Sequence, residues 1–125
     1  MRVRDLAAAD LIVIKAAPLG GVRRALQIVA ECGLPAVVSS ALDTSVGMAA
    51  GVALAAALPE LDHACGLGTV ALLDGDVVTD PLLPVAGTLA VRRVRADPGL
   101  LERYAAPAER RRWWVERLEA CTAYL

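Results

Sequence analysis

Within residues 11–58 the hydrophobic period switches from strand to helix and back again, and this alternation limits the folds open to the chain more than any other feature. Leu11-Ile12-Val13-Ile14 is an unbroken aliphatic run, the pattern of a strand covered on both faces in a parallel sheet. From Gly20 to Cys32, Val22, Ala25, Leu26 and Val29 recur at helical spacing opposite Arg23, Arg24, Gln27 and Glu31, and Gly33 is a natural stop. Leu34 to Ser39 is a second short apolar run with Pro35 at its start, where a missing donor is tolerated. Asp43, Thr44 and Ser45 are N-cap types, and Val46 to Leu58 reads as an Ala-rich helix closed by Pro59. Strand, helix, strand, helix with short loops means right-handed parallel β/α units with helices stacked outside a sheet.

Beyond that the order weakens. His63 to Thr69 has room for a third strand, with Gly66 and Gly68 making its end irregular. Ala71 to Val78 reads as a hairpin with Asp74-Gly75 at the turn. A last helix is expected after Pro107, carrying Trp114, Leu118, Cys121 and Leu125 on one stripe, with Trp113 and Trp114 as its core and rim. Two or three parallel strands leave an open sheet edge, and a closed β/α barrel takes about 250 residues, twice what is here. The chain, one domain over residues 1–125, reads as part of something larger.

Composition excludes several classes. With 57% hydrophobic residues the chain can fill a core. Thirteen Lys plus Arg against fourteen Asp plus Glu give no field for nucleic acid or an anionic membrane, and the arginines from Arg92 to Arg117 are interspersed with acids, as on a solvated helix. Cys32, Cys65 and Cys121 form no paired motif, so neither a disulfide framework nor a zinc site is expected, and a cytoplasmic compartment is. Val46 to Leu58, the longest apolar stretch, falls short of the about 20 residues a membrane span needs.

In parallel β/α architectures the reactive groups sit at the carboxyl ends of the strands. Lys15, then Ser39 with Ser40, then Cys65 to Gly68 fall there on successive units. Among apolar neighbours a lysine loses solvation for its charged form, which lets it exchange protons near neutral pH; charged, it stabilises developing negative charge. A lysine that only snorkels from a strand end into water is the competing reading. The serines suit a carboxylate at the positive end of the next helix, or plain turn chemistry. Gly66 and Gly68 permit close backbone approach, which an ordinary turn also requires. His63 has no companion at metal-ligand spacing, Asp74 and Asp76 are explained by the Asp-Gly turn, and Asp43 by capping.

Taken in order, LIVIKAAPLGG (11–21), AVVSSALDTSVG (36–47), HACGLGT (63–69) and LLDGDVVTDPLLP (72–84) resemble the C-terminal barrel segment of the actinobacterial-type o-succinylbenzoate synthases, within the enolase superfamily. The resemblance runs through the tryptophan-bearing last helix. It implies the C-terminal part of a (β/α)7β barrel of the TIM type, about the last three β/α units plus a hairpin and helix. It implies the dehydration of 2-succinyl-6-hydroxy-2,4-cyclohexadiene-1-carboxylate to 2-succinylbenzoate in menaquinone biosynthesis, with Mg²⁺ as cofactor and a small carboxylate as substrate. Lys15 then matches the catalytic lysine at the end of the sixth barrel strand, facing the base across the substrate. Ser39 and Ser40, with Gly66, Leu67 and Gly68, match the substrate-binding ends of strands seven and eight. Some relatives racemise N-succinylamino acids, which keeps a racemase-like activity as an alternative.

The family's acidic metal ligands, its Lys-x-Lys base and its capping domain have no counterpart in this sequence. Asp5 and Asp10 lie on the approach to the strand that carries Lys15 and cannot replace the ligands. The expectation is therefore a portion inactive alone, without metal ligands. A non-catalytic module that self-associates or pairs with a missing N-terminal part is the reading from another class.

Overall fold

The computed structural model describes residues 2–124. After a single helical turn, α1 (Arg2–Asp5), the chain forms β1 (Ile12–Ile14), α2 (Val22–Cys32), β2 (Ala36–Val38) and α3 (Ser45–Ala56). The strands pair in parallel, Ile12 with Ala36, Val13 with Val37 and Ile14 with Val38. Two β/α units follow each other in the order the hydrophobic period calls for.

Local chemistry accounts for the boundaries. Helix α2 ends where Gly33 adopts a left-handed conformation, φ 67°, and its N–H donates to the Val29 carbonyl. Helix α3 stops two residues short of Pro59, because a proline disfavours helical backbone in the residue before it. Its cap is Thr44, with no side-chain capping bond. Asp43, expected as a cap, instead accepts the Ala41 N–H at 3.0 Å. Helix α3 is apolar on nearly every side and buries Met48, Gly51, Val52, Leu54 and Ala55. Its sides meet α2 and β2, and Ile14, Ala25, Val38, Leu67, Val70 and Leu82 complete the core.

Burial of the sheet is one-sided. Ile14, Ala36 and Val38 point toward the helices, at 4%, 7% and 0% exposure, whereas Val13 on the opposite face is 61% exposed. The expectation of a strand covered on both faces is thus met on one face only by the described residues. Side chains alternate along a strand, so Lys15 and Ser39 lie on the same face as Val13.

Three expectations need correction. The third strand contracts to one parallel bridge, Ser39 with Gly66; Gly66 donates to the Val38 carbonyl (2.9 Å) and Ser40 donates to the Gly66 carbonyl (3.0 Å). Two glycines in three residues give no side chains to hold a longer ladder.

No hairpin forms over 71–78. Thr69–Leu72 is a 3-10 turn, and Val70, Val78 and Leu82 are each buried separately in place of alternating along a strand. The Tyr104 ring lies against Gly75, where a Cβ would make it shift. A hairpin-type turn occurs later, at Val85–Thr88, where Ala86 (φ 48°) and Gly87 (φ 77°) take the left-handed conformations of a type I′ turn.

The last helix, α5 (Ala108–Thr122), follows α4 (Pro98–Arg103), and it buries none of its residues. Trp114, Leu118 and Cys121 do share a stripe, but Trp114 is 56% and Leu118 65% exposed; Leu125 lies outside the described residues. Trp113 packs edge-on against Trp114, with centroids 4.7 Å apart, and against Arg110 and Arg117 of the same helix. Helical period identifies a face without saying that its cover lies in the same chain.

Leu54→Ala, which empties a fully buried position, should cost about 2–5 kcal/mol, and Leu118→Ala on α5 at most about 0.5 kcal/mol. Urea unfolding followed by far-ultraviolet circular dichroism checks both.

Candidate active site

Lys15 follows β1 directly, and the parallel register sets it beside the end of β2. Its Nζ donates to Ser39 Oγ at 3.2 Å and to the Ser40 carbonyl oxygen. Ser39 Oγ also lies 3.3 Å from that carbonyl. An ammonium has three N–H donors, so these two partners leave one for a ligand. Among the described residues Lys15 has no carboxylate partner.

Ser40 faces the other way. It is buried, its Oγ donates to the Gly66 carbonyl at 3.2 Å, and it lies 2.8 Å from Thr69 Oγ1. The Ser40 hydroxyl is therefore committed to holding β2 against the 66–69 segment. Ser39 alone of the pair has its hydroxyl beside the amine.

The expected third group divides. Gly66 belongs to the site by proximity: a Cβ there would lie 3.2 Å from Ser39 Oγ, so a larger residue would press on the serine. Leu67 turns its side chain into the core, 6% exposed and against Gly51. Gly68 lines a different cavity of about 480 Å³, with His63, Cys65, Thr88 and apolar residues of α3. The Leu67 side chain is thus taken up by the core, and Gly68 borders a cavity that Lys15 does not line.

The cleft at Lys15 is bordered by Ala16, Pro18, Ser39, Ser40, Asp43 and Gly47, with about 10 Å³ of free volume. That holds about one water molecule. Lys15 also borders an open cavity of about 340 Å³ with Val13, Pro18 and Leu19, which has room for an organic acid. Among the described residues no group of three or more His, Cys, Asp or Glu side chains converges to hold a metal. Asp43 is engaged by Ala41, and Asp76 is buried. These residues do not fit a Mg²⁺ site. Among them, too, no helix is long and apolar enough to cross a membrane.

Two residues of this region escaped the sequence reading. Thr69 and Asp76 fasten the 66–82 segment to Ser40 and Ser45. The only sequence signal for Asp76 was its place in an Asp-Gly-Asp run, which turn chemistry already explained.

Comparison with known proteins extends this picture. The o-succinylbenzoate synthase of Thermobifida fusca (strain YX) is 60% identical over 124 residues, covering 98% of this chain and 38% of that protein. That of Mycolicibacterium smegmatis (strain ATCC 700084 / mc(2)155) is 54% identical over 125 residues, covering 100% and 39%. Among solved structures, muconate lactonizing enzyme from Pseudomonas putida superposes with a TM-score of 0.73 at 25% identity, over 84% of this chain and 32% of that one. A probable mandelate racemase from Alicyclobacillus acidocaldarius gives 0.71 at 28% identity, over 85% and 30%.

The chain thus spans little more than a third of the length of its curated relatives, corresponding to their C-terminal part. The model of the Enolase C-terminal domain-like family matches residues 1–101, and with β/α units in parallel register and a lysine at a strand end, the chain belongs to that family.

Proposed function

We propose that this chain is the C-terminal barrel portion of an o-succinylbenzoate synthase and contributes Lys15 to the dehydration of 2-succinyl-6-hydroxy-2,4-cyclohexadiene-1-carboxylate to 2-succinylbenzoate, a cytoplasmic step of menaquinone biosynthesis. The observation that carries the reading is the Lys15 ammonium, held at a strand end by Ser39 Oγ and the Ser40 carbonyl, in a chain 54–60% identical to relatives of that name.

The reaction removes the proton α to the carboxylate and expels the ring hydroxyl, which leaves as water as the ring becomes aromatic. Negative charge builds on the carboxylate oxygens as the proton departs. Lys15 meets that charge with its remaining N–H and its positive charge, an electrostatic contribution that is large because the donor is already oriented. Ser39 aims the amine, Ser40 fixes the strand end behind it, and Gly66 leaves Ser39 room. The base that takes the proton is not among these residues, and no step through a metal is assigned to them.

The chain alone should therefore give no turnover, with or without Mg²⁺; formation of the aromatic product, followed by ultraviolet absorbance, would overturn this. A second expectation concerns pairing. Mixed with the remaining N-terminal portion of the Thermobifida fusca relative, the chain should restore dehydration, and Lys15→Ala should lower kcat/KM of the mixture about 10²- to 10³-fold, as loss of an oxyanion donor does. Full activity with Lys15→Ala would remove Lys15 from the chemistry.

The exposure of Val13 beside Lys15, and of Trp114 and Leu118 on α5, favours a second reading, a non-catalytic module that self-associates through these faces. Sedimentation decides: a compact monomer that gains activity only with the N-terminal portion supports the first reading, and a stable homo-oligomer inert to it the second.

A further inference from the structure

Asp76 is the one buried charged side chain among the described residues, and neither the Lys15 cleft nor the core accounts for it. Its Oδ1 accepts the backbone N–H of Ser45 at 3.1 Å and of Val77 at 2.8 Å, while Oδ2 is buried with no hydrogen-bond partner. A desolvated carboxylate is costly unless its surroundings stabilise the charge. Here one oxygen takes two backbone N–H groups, one of them from Ser45 at the positive end of α3. Ser45 reciprocates, its Oγ accepting the Leu82 N–H at 2.7 Å. Two buried hydrogen bonds therefore tie the first residue of α3 to the 76–82 segment.

The stretch of chain leading into that segment starts at Thr69, whose hydroxyl lies 2.8 Å from Ser40 Oγ. The loop 39–44 is consequently gripped at both ends by one stretch of chain, at Ser40 by Thr69 and at Ser45 by Asp76. Ser39 and Ser40, the partners of Lys15, lie at the start of that loop. Val78 and Leu82, 5% and 2% exposed, already secure the segment by apolar packing. A carboxylate adds what packing does not: a directional bond that fixes where α3 begins relative to the end of β2.

We propose that Asp76 is a positioning residue for the Lys15 site, setting through Ser45 the geometry in which Ser39 and Ser40 receive the amine. The proposal takes its functional meaning from the reading of Lys15 given above, but its test reports side-chain position whether or not the amine does chemistry.

Lys15 is the only lysine in the chain, so protein grown with ¹³C-lysine gives a single Cε–Hε signal by NMR. In Asp76→Ala that signal should move toward the free side-chain position. In Asp76→Asn, which keeps an acceptor oxygen for Ser45 and Val77, it should stay in place. Val78→Ala, which weakens packing of the same segment but leaves the carboxylate, should also leave it in place. An unmoved signal in Asp76→Ala, or equal movement in Val78→Ala, overturns the proposal. If Asp76→Ala does not fold, Asp76→Glu decides: it keeps the charge but displaces the carboxylate by one methylene, so the signal should move in Glu and not in Asn, and equal behaviour of the two refutes the positioning role.

Discussion

The arrangement depends first on the parallel register of β1 and β2. Ile14, Ala36 and Val38 face the helices, and the alternation of a strand then forces Lys15 and Ser39 onto the opposite face. A slip of one residue would exchange the two sets, burying an ammonium against α3 and exposing the core. The apolar residues that stabilise the sheet are thus also the reason the lysine has a defined direction. Fold and site are specified by one constraint.

The second constraint is how the end of β2 is held. A three-residue strand with a single bridge to Gly66 offers few ladder bonds to keep its loop in place. Side chains supply the remainder, Ser40 with Thr69 and Ser45 with Leu82, so that polar groups do at this end what a third full strand does elsewhere. Buried networks of this kind specify one arrangement when every member is satisfied. Oδ2 of Asp76 is the one buried polar side-chain atom among the described residues without a protein hydrogen-bond partner.

What could be read from the sequence follows the range of the forces involved. Hydrophobic period is local, and it located β1, α2, β2 and α3 to within two residues at each boundary. The convergence of Lys15 with Ser39 and Ser40 was also legible, because equivalent strand ends in parallel units must be neighbours. Asp74-Gly75-Asp76 was not, since its turn propensity is overridden by distant partners: Gly75 accommodates Tyr104, and Asp76 reaches Ser45. Nor was the exposure of Trp114 and Leu118, because an amphipathic pattern does not identify its partner. The burial of the Leu67 side chain was not legible either, since a residue between two loop glycines carries no period that says which way it turns.

The seclusion of α5 has an optical consequence. Every Trp and Tyr of the chain lies from Tyr104 onward, and there is no Phe, so the β/α units that bear the core hold no benzenoid or indole ring. The two tryptophans sit edge to face on a helix that buries none of its own residues. Intrinsic tryptophan fluorescence therefore reports first on the surroundings of α5, and the β/α units contribute no emitter of their own. Only Tyr104, lying over Gly75, carries a trace of their state.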